Sequence, residues 1–198
     1  MLRHSRQFSI KYNGKMANLQ LRPLMNSDKL MIKIVSISML DRIMEIYSSA
    51  IKRMEELNIY QWDDVYPNKE LIQNDIASNT MYGYFVNSDL CAIQVINTIQ
   101  SPEYSQIQWK FKDINPLVLH RLCVDPEFQN QGISKEMIFF AEKYAVENNF
   151  KTIRFDAFIN NNISVNIYKK MGFIDSGIVN FRKGGFYCFE KKTIHYCG

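Results

Sequence analysis

From residue 31 onward the apolar positions fall into two periods, one near two residues and one near 3.6, and the switches between them mark the elements. Ile32, Ile34 and Ile37 predict a first strand. Ser38 and Asp41 have the spacing of a capping box, in which the serine hydroxyl takes a free N–H of the following turn. Ile43, Ile46, Tyr47, Ala50, Ile51, Met54 and Leu57 then recur at helical spacing and predict a long amphipathic helix. The stretch 58–67 interrupts it, and a second helix is expected over 68–78 with Leu71, Ile72 and Ile76 inward. Residues 81–87 and 90–99 read as a hairpin across the polar turn 87–89. The polar, aromatic-bearing connection 101–115 carries no legible period. Residues 117–124 predict a strand, with Pro116 tolerated at its start. A helix follows through Ile133, Met137, Phe140, Ala141, Tyr144 and Ala145, then a strand over 152–158. A helix over 162–171 stops at Gly172, and a last hairpin pairs 173–181 with 186–192. This order predicts an α/β fold in which helices flank a mixed central β-sheet, with 31–198 as a single domain.

Composition narrows the class. The 198 residues are 46% hydrophobic and 22% charged, as expected of a soluble globular chain with a sizeable core. No apolar run reaches the ~18 residues of a membrane helix, so no membrane partner is expected. The net charge of +4 is local: residues 1–30 hold six Lys/Arg and one acid, leaving 18 Lys/Arg against 19 Asp/Glu in the rest. The body therefore offers no electrostatic case for nucleic acid. The basic stretch 1–30 fits an N-terminal extension, poorly ordered or left by an upstream start codon, and its Arg-containing, acid-poor composition also suits a transit peptide. Cys91, Cys123, Cys188 and Cys197 lack metal-ligand spacing, so no metal is expected, and they read as reduced thiols of a cytoplasmic protein. Homodimerisation is left open.

The chemistry centres on 124–134, Val-Asp-Pro-Glu-Phe-Gln-Asn-Gln-Gly-Ile-Ser. A strand ends, Pro126 forces a turn, and a helix opens around Gly132, so several backbone N–H groups lack a helical partner. With the helix dipole behind them they form an anion cradle that a Cβ-free glycine lets a phosphate approach. Neither Walker nor Rossmann glycine spacing is present. Gln129-Asn130-Gln131-Gly132-Ile133-Ser134 resembles the Gln/Arg-x-x-Gly-x-Gly/Ala loop of the GCN5-related N-acetyltransferases, with Ser134 where Gly or Ala is usual. About thirty residues on, Asn161 through Tyr168 to Gly172-Phe173 resembles the family's Asn-x-x-Ala-x-x-x-Tyr-x-x-x-Gly-Phe segment. The element order is also the family's.

The resemblance implies direct transfer of acetyl from acetyl-CoA to an amine: a small-molecule amine, an amino acid or a peptide N-terminus. It implies that Gln129 to Ser134 hold the pyrophosphate and that the pantetheine arm pairs with the strand at Leu122 and Val124. The Leu122 amide would then face the thioester carbonyl. Asn161 matches the residue that bonds the arm, and equally suits a helix N-cap. Tyr168 matches the family's general acid; a phenol pKa near 10 keeps it protonated, and the competing reading is a core tyrosine.

An alkyl ammonium needs a base, and His120 is the first candidate, some family members carrying a histidine there; a satisfied core histidine is the bland alternative. Asp156 is a second candidate, more simply a structural ion pair, and Glu190 a third; a water chain is a fourth. Strand alternation places Val118, His120, Leu122 and Val124 on one face and Leu119, Arg121 and Cys123 on the other, which argues against a Cys123–His120 pair. Trp62 and Tyr66, beside Asp63 and Asp64, suit an amine acceptor through cation–π and charge attraction, or are packing residues. The rival from another class is a degenerate acyl-CoA-binding sensor that keeps the fold and loses turnover.

Overall fold

The computed structural model describes residues 9–12, 15–18, 30–112 and 115–194. Two short strands, β1 (Ser9–Tyr12) and β2 (Lys15–Asn18), pair antiparallel as their own sheet. Residues 1–8, 13–14 and 19–29 of the expected extension lie outside the described residues, as does Cys197, while Leu30 already belongs to the first strand of the body. The body follows the order β3 (Leu30–Ile34), α1 (Leu40–Glu56), α2 (Lys69–Ala77), β4 (Met81–Val86), β5 (Asp89–Asn97), β6 (Leu117–Val124), α3 (Ile133–Glu147), β7 (Thr152–Phe158), α4 (Asn162–Lys170), β8 (Ile174–Phe181) and β9 (Gly184–Lys192). Its seven strands form one mixed sheet in the order β3-β4-β5-β6-β7-β9-β8.

The apolar stripe of α1 buries Ile43, Ile46, Tyr47 and Ala50. With Ile72 and Ile76 of α2 they cover Phe85, Leu90, Ile93, Val95 and Cys123 on one sheet face. Each fully buried Ile contributes about 1.5–3 kcal/mol through apolar area removed from water. On the opposite face Ile138, Ala141 and Ala145 of α3 and Val165 of α4 pack on Leu117, Leu119, Phe155 and Phe189. Asn68 caps α2, its Oδ1 accepting from the Leu71 N–H at 2.9 Å. The β4–β5 turn has positive φ at both Asn87 and Ser88, the geometry of a two-residue turn matched to strand twist.

Two local expectations fail. The Ser38 capping box does not form: a 3-10 turn over Ile37–Met39 leads into α1, and Ser38 Oγ instead hydrogen-bonds Ser36 Oγ at 2.6 Å. Ile37 belongs to that turn, not to the first strand. The illegible connection contains a 3-10 helix, Pro102–Gln106, whose Tyr104 is buried against Val118, Val179 and Cys188.

The important departure is in β6. Ile93 opposes Cys123 but Val95 opposes His120, so β6 carries one residue more than β5 across this step. The extra residue is a bulge at Arg121, whose φ is +51°, left-handed backbone that a non-glycine residue adopts at a cost. Alternation therefore reverses within the strand. Leu122 and Val124 join the α3 face, with Ile133 and Met137, together with Leu117 and Leu119 rather than with Val118 and His120. His120 and Cys123 share the other face, since their opposite residues Val95 and Ile93 both pack there. Alternation thus does not separate Cys123 from His120, but burial keeps the thiol inert: Cys123 is 4% exposed and its thiol is pushed far above the ordinary range by desolvation.

Candidate active site

β6 and β7 are parallel and pair only at Leu117 with Ile153 and Val118 with Arg154. Beyond Val118 they diverge, and the backbone of β6 on that side has no ladder partner. The gap opens into a cleft of about 630 Å³, and a second, small pocket of about 30 Å³, room for roughly one water, adjoins it through shared lining residues. Leu119, His120, Arg121 and Leu122 of β6, Asp156 of β7 and Tyr168 of α4 line both. Because the gap runs between strands, side chains enter from both faces. Asp156 opposes Cys188 and so shares the Tyr104 face. Tyr168 arrives from the α4 side, its ring against Phe155 at 4.6 Å and Phe189 at 5.8 Å.

Asp156 accepts a hydrogen bond from Tyr104 Oη at 2.8 Å. Among the described residues it forms no salt bridge, so the expected ion pair with an arginine gives way to a phenol. Burial pushes its carboxyl up to about 6, while the Tyr104 bond and the field of Arg121 hold it down. His120 places Nε2 3.0 Å from Asn97 Oδ1. Burial and then the neighbouring Arg121 charge lower it to about 4, against a smaller opposing bond to the Ile99 backbone, so the ring is neutral at pH 7. Tyr168 is pushed up to about 12 by burial and then by Asp156, with a hydrogen bond to Ser164 working the other way, so it keeps its proton. Glu190 is not in the cleft. It is 0% exposed and accepts from the Lys110 and Phe111 N–H groups and, at 2.7 Å, from Ser176 Oγ; it fastens the connection before β6.

The roof of the cleft is the α1–α2 loop, with Gln61, Trp62, Val65 and Tyr66 on its wall. Trp62 stands edge-on to Tyr47 at 5.5 Å, and Tyr66 Oη accepts from Arg121 Nη1 at 3.1 Å. Asp63 is unavailable to an amine: Arg182 grips both its oxygens at 2.6 and 2.8 Å, Lys183 adds a contact at 3.2 Å, and its carboxyl is driven far below the ordinary range, chiefly by Arg182. The acid-lined acceptor wall expected from the sequence is therefore a wall of donors. Arg121 is anchored by Asp75 at 2.6 Å, while its Nε is buried without an acceptor.

Asn161 caps α4, its Oδ1 accepting from the Ser164 N–H at 3.1 Å, and its Nδ2 donates to Gln61 Oε1 at 2.9 Å. Val124 ends β6 and residues 129–134 follow it, all outside the cleft lining. Gly132 has φ +88°, and a Cβ there would meet open space, so backbone conformation is what requires glycine. Asn130 is also left-handed, at +62°. The N–H groups of Gln131, Gly132, Ile133 and Ser134 find no acceptor among the described residues, whereas those of Lys135 and Glu136 reach Gly132 O. The loop is braced by Gln129 Nε2 on Val124 O at 3.2 Å and by the Arg42–Asp125 ion pair. An unpaired strand edge thus leads from the cleft to a cluster of unpaired amides at a helix N-terminus.

Sequence reading missed Tyr104, Lys183 and Arg182, and assigned Arg121 no role. Of these Arg121 alone left a signal, as a formal charge inside a strand that is apolar apart from it and His120.

The fold recurs in solved structures. A GNAT-family acetyltransferase from Streptococcus agalactiae superposes with TM-score 0.74 at 19% identity, over 83% of this chain and 96% of that one. One from Listeria monocytogenes gives 0.68 at 21%, over 93% and 99%. The PaiA N-acetyltransferase of Thermoplasma acidophilum, solved in complex with coenzyme A, gives 0.63 at 21%, over 83% and 99%. No curated protein matches the chain in sequence. Among the described residues no helix is long and apolar enough to cross a membrane. Residues 52–173, more than half of the chain, match the acetyltransferase (GNAT) family, and the chain belongs to it.

Proposed function

We propose that the chain is an N-acetyltransferase that moves the acetyl group of acetyl-CoA directly to an amine. The observation carrying this reading is the slot between β6 and β7, which ends at four unpaired N–H groups. The slot exposes the β6 edge to one extended chain, and the amides suit a pyrophosphate beyond it. The complex of the PaiA neighbour with coenzyme A supports the same use of this fold. Acetyl-CoA, when bound, supplies an activated acyl thioester. Leu122 and Val124 would hold its arm through their backbone, Gln129 to Ser134 its phosphates, and Asn161 would reach it by releasing Gln61.

Asp156 is the general base. A carboxylate with pKa about 6 takes a proton far more readily than an imidazole at about 4, so His120 serves better as a neutral wall than as a base. Tyr168 holds a proton at Oη on the other side of the gap and donates it when a thiolate departs. Trp62 and Tyr66 close the acceptor side. The test pairs acetyl-CoA titration calorimetry with release of free thiol over a panel of amines. Binding together with amine-dependent release supports the enzyme; binding without release over the whole panel supports the sensor.

A further inference from the structure

We propose that the acceptor is a zwitterion, a primary amine carrying a carboxylate as a free amino acid does, with the carboxylate received by Lys183. This rests on the acetyltransferase reading above and names its substrate class.

The charges facing the cleft are uneven. Among the described residues its ionic lining is Arg121, Arg182 and Lys183 on one side of the balance and Asp156 alone on the other. The carboxylates that offset the cations stand behind them: Asp75 holds Arg121 and Asp63 holds Arg182. Asp63 serves two cations at once. Arg182 occupies both its oxygens, and Lys183 Nζ shares Oδ2 at 3.2 Å, which leaves two Lys183 N–H groups without an acceptor among the described residues. Asp64 acts on Arg182 only through its field, and neither bonds it nor lines the cleft. The Lys183 side chain is about three-quarters withdrawn from solvent, so an anion meeting it is screened less than at an open surface.

A ligand therefore meets one carboxylate at the gap, Asp156, and one under-served ammonium at the β8–β9 turn. The complementary molecule places its ammonium at the first and an anionic group at the second. The same cleft is also lined by Trp62, Tyr66, Phe158 and Phe186, which suit an apolar or aromatic side chain. A polyamine would bring further positive charge to a wall that already bears three cations, at a cost in affinity.

The experiment compares kcat/KM, read by thiol release, for phenylalanine with phenylalaninamide and phenethylamine, for leucine with isoamylamine, and for spermidine. The expected result is an advantage of about ten-fold or more for at least one amino acid over its carboxylate-free partners, as a charge-assisted hydrogen bond provides. Lys183→Met should remove most of that advantage and Lys183→Arg should keep most of it. Equal or better turnover of the amide, the plain amines or spermidine overturns the inference and leaves the acetyltransferase reading standing. So does Lys183→Met with the preference intact. Acetyl-CoA binding with no amino acid turned over also overturns it, while failure to bind acetyl-CoA at all overturns the functional reading and this one with it.

Discussion

Tyr104 Oη donates to Asp156 Oδ2 at 2.8 Å, joining a 3-10 helix between two strands to the only carboxylate that the described residues bring to the cleft wall. The bond stabilises the ionised form, and burial opposes it more strongly, so the carboxyl stays raised near 6. A base must be ionised to act. kcat/KM should therefore rise with pH through about 6 and fall away on the acid side. Tyr104→Phe removes the stabilising donor and should move that midpoint upward; Asp156→Asn should cost about 10²–10⁴-fold in kcat. A profile flat between pH 5 and 7 in the wild type would reject Asp156 as base.

Gly132→Glu should abolish acetyl-CoA binding. The change sets a negative side chain among the unpaired amides of 131–134 and forces a non-glycine residue to φ +88°. Gly132→Ala carries only the backbone cost and should bind, weakened. Calorimetry on the two variants separates charge from conformation, and equal affinity of Gly132→Glu and wild type would remove the cradle.

Tyr168→Phe should lower kcat about 10²-fold with acetyl-CoA affinity nearly unchanged. The ring packing on Phe155 and Phe189 is kept while the proton donor is lost. Single-turnover kinetics at the wild-type rate would return Tyr168 to a purely packing role.

Arg121→Met should destabilise the fold by about 3–5 kcal/mol, because it strands the buried Asp75 carboxylate without its cation. Burial already raises Asp75 against the pull of Arg121, so in the variant it should take up a proton. Urea titration checks this: Arg121→Met/Asp75→Asn should recover part of the loss, and strict additivity of the two changes would argue against the pair.

The element order was legible because α1 and α3 bury one stripe each, and because Asn68 and Gly172 mark helix ends through their own chemistry. The bulge at Arg121 was not. Alternation assumes one residue per pleat, and an inserted residue leaves no compositional trace when both faces of the strand are largely buried. Its consequence was to misplace Leu122 and Val124 and to give a faulty reason for dismissing Cys123. The partners of Asp156 and Glu190 were hidden for another reason. Both come from the aromatic connection before β6, where neither period operates and only tertiary packing decides the path. Asp63, after Trp62, misled because a sequence shows a charge and not which cation consumes it.

Two ladder pairs are all that join β6 to β7. In effect the sheet has four borders, two outer and two inner. An outer border of bare amides and carbonyls invites another molecule to add a strand, the usual route to aggregation. The inner borders carry the same hydrogen-bonding capacity but are recessed beneath the loop that bears Trp62 and Tyr66 and flanked by α4. A flexible, narrow guest can enter lengthwise; a strand that belongs to a folded neighbour is kept out by its own bulk. The fold thus holds a strand-pairing edge at the centre of its sheet rather than at its rim.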